Sequence, residues 1–166
     1  QSAGAVIKVE TTPVARGTVL PPVVMTVTDA VEDEFGFAEI QVVSFEDLYG
    51  GKIHAALDRQ HPRDLYDVKL LYDNEGLTDA LFKVFLVYLA GSNRPAHELL
   101  NPNSTDLTRA FEREFEGMTS SPIGLEELET VRVRLVKDVQ SRLKGSTANF
   151  LRSLQQGVPD YSLIGL

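Results

Sequence analysis

The chain contains no cysteine. That absence rules out a disulfide framework and any zinc site built on thiolates, and it fits a reducing cytoplasm, where the protein is expected. Long apolar runs are missing too: the longest, Leu81 to Leu89, carries Lys83 and is too short to span a bilayer. No signal peptide is visible, and the chain opens on Gln1 in place of methionine, so a segment upstream is expected. Positive charge is scarce. Sixteen Lys and Arg against 24 Asp and Glu give a net charge of −8, which argues against holding nucleic acid by general electrostatics and leaves room only for a local basic patch. No Walker-type glycine loop and no Ser-His-Asp set with a nucleophile elbow occurs. His54, His61 and His97 have no metal-ligand spacing with one another. Internal repeats and low-complexity runs are also absent.

What remains is an ordinary globular composition. With 166 residues, 43% hydrophobic and 24% charged, the chain can bury a core as one compact domain, or as a small domain plus part of another. Up to about Val43 it is rich in Val, Thr and Pro, with short alternating runs. Ala5 to Glu10 reads as a strand with Ile7 and Val9 on one face and Val6, Lys8 and Glu10 on the other. Pro21-Pro22 must interrupt any central strand after Thr18-Val19-Leu20. Thr28 to Phe35 reads as a short helix capped by Thr28 and ended by Gly36, and Ala38 to Val43 as a strand.

From Ser44 onward helical signals take over. Ser44 caps a helix with acids in its first turn that runs to about Arg59. Pro62 opens the next, to about Asn74, and Thr78 caps a third that stops near Gly91. Shorter helices follow at Pro95–Leu100 and Thr105–Glu116, then a long one over Glu126–Lys144 and a last one over Thr147–Gln156. The fold class is α+β: a sheet remnant over residues 1–43, followed by a helical bundle over 44–166. Gly50-Gly51 inside a helix signals close backbone approach, as when a helix packs tightly on a sheet.

The densest cluster of chemically capable residues lies between Lys52 and Asp67. Lys52 and Arg59 are seven apart, nearly two helical turns, so both point the same way. Asp64 and Asp67 are three apart on the next helix and share a face. Gln60-His61-Pro62 is so short a connection that the two helices must be neighbours. Two cations facing two carboxylates suit a triphosphate and a proton acceptor. The same spacing also suits plain structure, with an Arg63–Asp67 pair one turn apart and Arg59–Asp64 tying the corner. Glu32-Asp33-Glu34 reads as a wet face, and Arg134, Lys137 and Lys144 as a solvated basic stripe.

The run from Val43 to Lys52 and on through Arg59-Gln-His-Pro-Arg-Asp-Leu-Tyr-Asp-Val68 resembles the lysine-to-RDxxD region of AbiEii/AbiGii-type nucleotidyltransferases, toxins of type IV toxin–antitoxin and abortive-infection systems. Ile7-Lys8-Val9-Glu10 resembles the family's IKVE strand. Phe150 to Tyr161 resembles its closing motif, with Tyr161 in a place often taken by tryptophan. The resemblance implies a polymerase-β-like core packed on a helical domain, a nucleotide moved from an NTP to an acceptor such as a tRNA end, and an antitoxin acting indirectly. It implies Mg2+ on core carboxylates, with Glu10 in the place of the third acid. Lys52 becomes a phosphate contact and Asp64 the active-site base, with Arg59, Arg63 and Asp67 in support. Nothing in the chain supplies the Asp-x-Asp strand or its glycine motif, so these 166 residues are expected not to turn over alone. A helical protein-interaction module with a structural ion-pair cluster at residues 52–67 is the other reading that the residues allow.

Overall fold

The computed structural model describes residues 17–166. The strand expected at Ala5–Glu10 lies outside them. A strand β1 (Val23–Thr26), a helix α1 (Asp29–Phe35) and a strand β2 (Glu39–Val42) form a small unit ahead of the helices. The strands pair antiparallel, from Val23 opposite Val42 to Thr26 opposite Glu39. The Val27 amide extends the pairing to the Ala38 carbonyl at 3.0 Å. Gly36, at φ 89°, turns the chain out of α1 as expected. Thr28 occupies the cap position with extended backbone, but its side chain makes no capping bond. β1 begins directly after Pro21-Pro22, where no strand was expected. Prolines cost a strand nothing at its entry, since no ladder bond is lost there.

This unit is open to solvent. Val24 is 61% exposed, Phe35 75% and Ile40 67%. Between Gly17 and Gly51 there is also no lysine, arginine or histidine, while Asp29, Glu32, Asp33, Glu34, Glu39, Glu46 and Asp47 are all acidic.

The rest is a helical bundle: α2 (Phe45–Arg59), α3 (Pro62–Asn74), α4 (Asp79–Ala90), α5 (Ala96–Leu100), α6 (Thr108–Glu114), α7 (Leu125–Ser141) and α8 (Ser146–Gln155), closed by a 3-10 turn at Tyr161–Ile164. Local chemistry sets the starts. Ser44 accepts from the Asp47 amide, Thr78 from the Leu81 amide, and Pro62 sits in the first turn of α3, where its missing N–H costs nothing. One core runs through the bundle, with Ile53 and Leu57 from α2, Leu65 and Val68 from α3, Phe85 from α4, Leu135 from α7 and Phe150 from α8. Leu107 and Phe115 are buried at either end of α6 and Phe111 packs beside them, as their four-residue spacing requires. α7 ends at Ser141, three residues short of the expected Lys144, and Gly145, at φ 59°, turns the chain into α8. The apolar tail forms the 3-10 turn, with the Tyr161 ring 5.5 Å from that of Phe150.

Gly50 and Gly51 do mark a close approach, but to α4 and not to the sheet. A Cβ on Gly50 would lie 3.1 Å from Val84, 3.3 Å from the Phe85 backbone nitrogen and 3.3 Å from the Tyr88 ring. A Cβ on Gly51 meets only the Tyr88 ring, at 3.7 Å, an ordinary contact. The two glycines therefore predict opposite outcomes. Gly51→Ala gains up to about 1 kcal/mol of helix propensity. Gly50→Leu forces α2 off α4 and costs roughly 1–3 kcal/mol. Urea denaturation of both variants checks the pair, and equal midpoints would contradict this packing.

Candidate functional site: the seam between α2 and α3

Lys52 and Arg59 leave α2 toward α3, as their seven-residue spacing requires. Lys52 Nζ pairs with the Asp67 carboxylate, and both side chains are about one-third exposed. The Arg59 guanidinium grips Asp64 with two bonds, Nε to Oδ2 at 3.1 Å and Nη2 to Oδ1 at 2.6 Å. The fork geometry of arginine matches a carboxylate in this way, where lysine offers only a point charge. Asp64 is buried, while the Arg59 side chain is 64% exposed. The seam thus holds one buried carboxylate, Asp64, under an exposed guanidinium, beside a Lys52–Asp67 pair whose two members are equally exposed.

Arg63 does not join them. Its Nε and Nη2 donate to the Glu114 carbonyl at 3.1 and 2.9 Å, capping the C-terminal end of α6, where carbonyls lack helical partners. The one-turn Arg63–Asp67 pair does not form, because Asp67 is taken by Lys52. His61 caps α3 by accepting from the Arg63 amide and meets Glu114 Oε2 at 3.2 Å. Of the basic stripe, Arg134 lies 3.8 Å over the Tyr72 ring and beside Asp138, while Lys137 and Lys144 are exposed. Glu32, Asp33 and Glu34 are exposed on α1. Glu10 lies outside the described residues.

Two polar residues at the ends of α2 do more than the sequence announces. Gln60, at the corner, is the only non-glycine residue with positive φ among the described residues, at φ 50° and ψ 39°. That backbone costs an L-residue about 1 kcal/mol. Its buried side chain donates to the Asn103 carbonyl at 2.6 Å and accepts from the Thr105 amide at 3.2 Å and Arg132 Nη1 at 3.3 Å. Asp47, at the other end of α2, was legible only as a first-turn acid. It accepts from the Val19 and Leu20 amides at 2.8 and 2.9 Å, from the Ser44 hydroxyl at 3.0 Å and from the Tyr88 hydroxyl at 3.0 Å.

Burial alone would raise the Asp47 carboxyl, but the Val19 and Leu20 amides, followed by Ser44 and Tyr88, outweigh it and hold the group below its ordinary value. Burial, and then the bond to Asp47 and its charge, push the Tyr88 phenol up to about 12. Among the described residues no group of three or more His, Asp or Glu side chains is placed to hold a metal ion. Asp64 and Asp67 are each committed to a cation of the chain itself, so the described residues do not fit a magnesium ion.

A buried carboxylate under an exposed guanidinium, with a partly exposed lysine farther along the same helix flank, is an arrangement suited to binding a polyanion. The family model described as "Nucleotidyl transferase AbiEii toxin, Type IV TA system" matches residues 1–162, and the chain belongs to that family. No curated protein and no solved structure gives a match. Membership places the chain among nucleotidyltransferase toxins of type IV toxin–antitoxin systems, whose activity uses an NTP and, in general, a divalent metal. Among the described residues no helix is long and apolar enough to cross a membrane.

Asp47→Asn keeps the shape and loses the charge on which four bonded groups converge, and should cost about 2 kcal/mol at pH 7. Because the folded value is lowered, this stability is present in full above the unfolded carboxyl pKa and is lost as pH falls through the folded value. Urea midpoints of wild type and variant should therefore differ at pH 7 and converge only below about pH 4. A gap that stays constant down to pH 3 would show that Asp47 does not supply it.

Proposed function

We propose that the α2–α3 seam is where a nucleotidyltransferase meets the phosphates of its NTP, the reaction being transfer of the nucleotide to an acceptor hydroxyl such as a tRNA end. The observation that carries this reading is the bidentate Arg59–Asp64 pair, in which the base candidate is buried and its cation is exposed. A triphosphate competes with a single carboxylate for Arg59 and Lys52 and carries more charge than either partner it displaces. As Arg59 turns to phosphate, Asp64 is left with a free oxygen. Asp64 then takes the proton of the acceptor hydroxyl while the hydroxyl oxygen bonds to the α-phosphorus, and the bond from that phosphorus to the α,β-bridging oxygen breaks, releasing pyrophosphate. Lys52 holds phosphate oxygens, Asp67 orients Lys52, and Arg63 fixes the start of α3.

Glu10 is the proposed metal-binding carboxylate, with Mg2+ as the ion. Residues 1–43 are proposed as strands of the nucleotidyltransferase core and 44–166 as the helical domain. Because the sequence has no Asp-x-Asp after a glycine motif, the 166-residue chain alone is proposed to be inert. The acidic net charge leaves tRNA contact to local cations.

In the full-length gene product, Asp64→Asn should lower nucleotide transfer by about 10²–10⁴-fold while the melting temperature barely moves. The exposed Arg59 loses a partner and simply returns to water. Lys52→Ala should raise KM for NTP about tenfold, the loss of one charged contact. If the cluster instead serves a helical protein-interaction module, Asp64→Asn lowers the melting temperature and leaves activity per folded molecule unchanged. Both quantities measured on one set of samples decide the matter.

A further inference from the structure

The corner between α2 and α3 is two residues long, and its first residue does no visible chemistry. Gln60 nevertheless keeps a backbone conformation that disfavours side chains and buries an amide that must be satisfied. Both requirements are met by elements remote in sequence. The Gln60 side chain is held by the Asn103 carbonyl, the Thr105 amide and Arg132 of α7, and Arg132 Nη1 itself donates to the Thr105 carbonyl at 2.6 Å. Immediately before Gln60 stands Arg59, and four residues after it Asp64, the two halves of the bidentate pair. The direction in which α3 leaves α2 decides whether those halves meet, and the left-handed residue between them sets that direction. Local preference does not favour Gln60 in this conformation, so the hydrogen bonds from residues 103–105 and Arg132 must hold it there.

We propose that Gln60 is a positioning residue, clamped by Arg132 and the 103–105 segment, that places Arg59 and Asp64 opposite each other, the arrangement from which nucleotide transfer starts. The proposal rests on the function assigned above to that pair. It implies that α7, which supplies no group to the seam, acts on it through Arg132. Strained, hydrogen-bonded corners of this kind persist where the surrounding structure over-determines them. A one-residue change of direction is large compared with the tolerance of a two-point guanidinium–carboxylate match.

Three variants separate positioning from plain stability. Gln60→Gly removes the clamp and leaves the corner free to enter or leave the left-handed conformation without steric cost. Gln60→Ala removes the clamp and keeps the backbone cost. Arg132→Met removes the remote anchor without touching Arg59 or Asp64. The first readout is the Arg59 Nε–H resonance in the nucleotide-free protein, whose position and slow exchange report the bond to Asp64. The second is kcat/KM for NTP in the full-length gene product.

Positioning predicts that Gln60→Gly folds with a melting temperature close to wild type. Its Arg59 signal should move to the solvent-exposed position, and kcat/KM should fall at least about tenfold, within the hundredfold that a misplacement of about 1 Å can cost. Arg132→Met should reproduce both changes, and Gln60→Gly combined with Arg132→Met should add little to either alone. A wild-type Arg59 signal in Gln60→Gly and Arg132→Met would overturn the proposal whatever the activity. So would a kcat/KM within twofold of wild type in Gln60→Gly. A wild-type protein that neither binds nor uses NTP, but whose Arg59 signal moves in both variants, would sink the functional reading and leave the clamp standing.

Discussion

The absence of a side chain at Gly50 lets α2 lie against the backbone of α4, and the position of nearly every other polar feature follows from that contact. With one flank of α2 committed to α4, its opposite flank is fixed in direction, and Lys52 and Arg59 emerge from it toward α3. The same approach brings Tyr88 to the first turn of α2, where its hydroxyl completes the shell around Asp47. Asp47 in turn holds the amides of Val19 and Leu20, which is how the leading segment reaches the bundle without a sheet to join. A backbone contact between two helices thus positions an ion-pair seam on one side and a carboxylate knot at one end.

The ion pairs of the seam differ in a way that matters for chemistry. Lys52 and Asp67 are both partly exposed, so their attraction is screened and either partner can leave cheaply. Asp64 is buried and depends on Arg59 for compensation, yet Arg59 itself is mostly in solvent. Removing the carboxylate frees a well-hydrated cation, whereas removing the arginine strands a buried charge, so the costs of the two mutations are unequal. A polyanion can substitute for the carboxylate at Arg59 without entering the core. The geometry therefore favours reactions in which the visitor is negatively charged.

Much of the helical part was legible because its boundaries are chemical. Ser44, Pro62 and Thr78 open helices in the places their side chains favour, and Gly36 closes one. Seven-residue spacing placed Lys52 and Arg59 on one flank, and the short corner guaranteed that α3 would lie nearby. Which carboxylate each cation meets was less legible. Spacing set Lys52 and Arg59 against Asp64 and Asp67 without assigning Lys52 a partner, and its other suggestion, Arg63–Asp67, fails because Arg63 turns to the Glu114 carbonyl. β1 was hidden by Pro21-Pro22, which forbid a central strand and are harmless ahead of an edge one. Gly50-Gly51 announced a close approach but not its partner. Gln60 was silent, because a glutamine in a left-handed corner is stabilised by residues more than forty positions away in sequence. The metal-binding role expected of Glu10 falls outside the described residues and rests on family resemblance alone.

The unit of β1, α1 and β2 has a colloidal consequence. Val23, Val24, Met25, Val31, Phe35, Phe37 and Ile40 are open to solvent, and its short strands offer unpaired edges among the described residues. Such a surface ordinarily invites self-association. Here the carboxylates between Asp29 and Asp47 share it with no cation, so two copies that approach through this unit repel each other. That repulsion acts over a Debye length of about 8 Å at physiological salt and shrinks to about 3 Å at 1 M. Repulsion between carboxylates, and not the lack of apolar surface, is what keeps this unit from a second copy: concentrated salt, or acid that neutralises the carboxylates, turns the same surface adhesive.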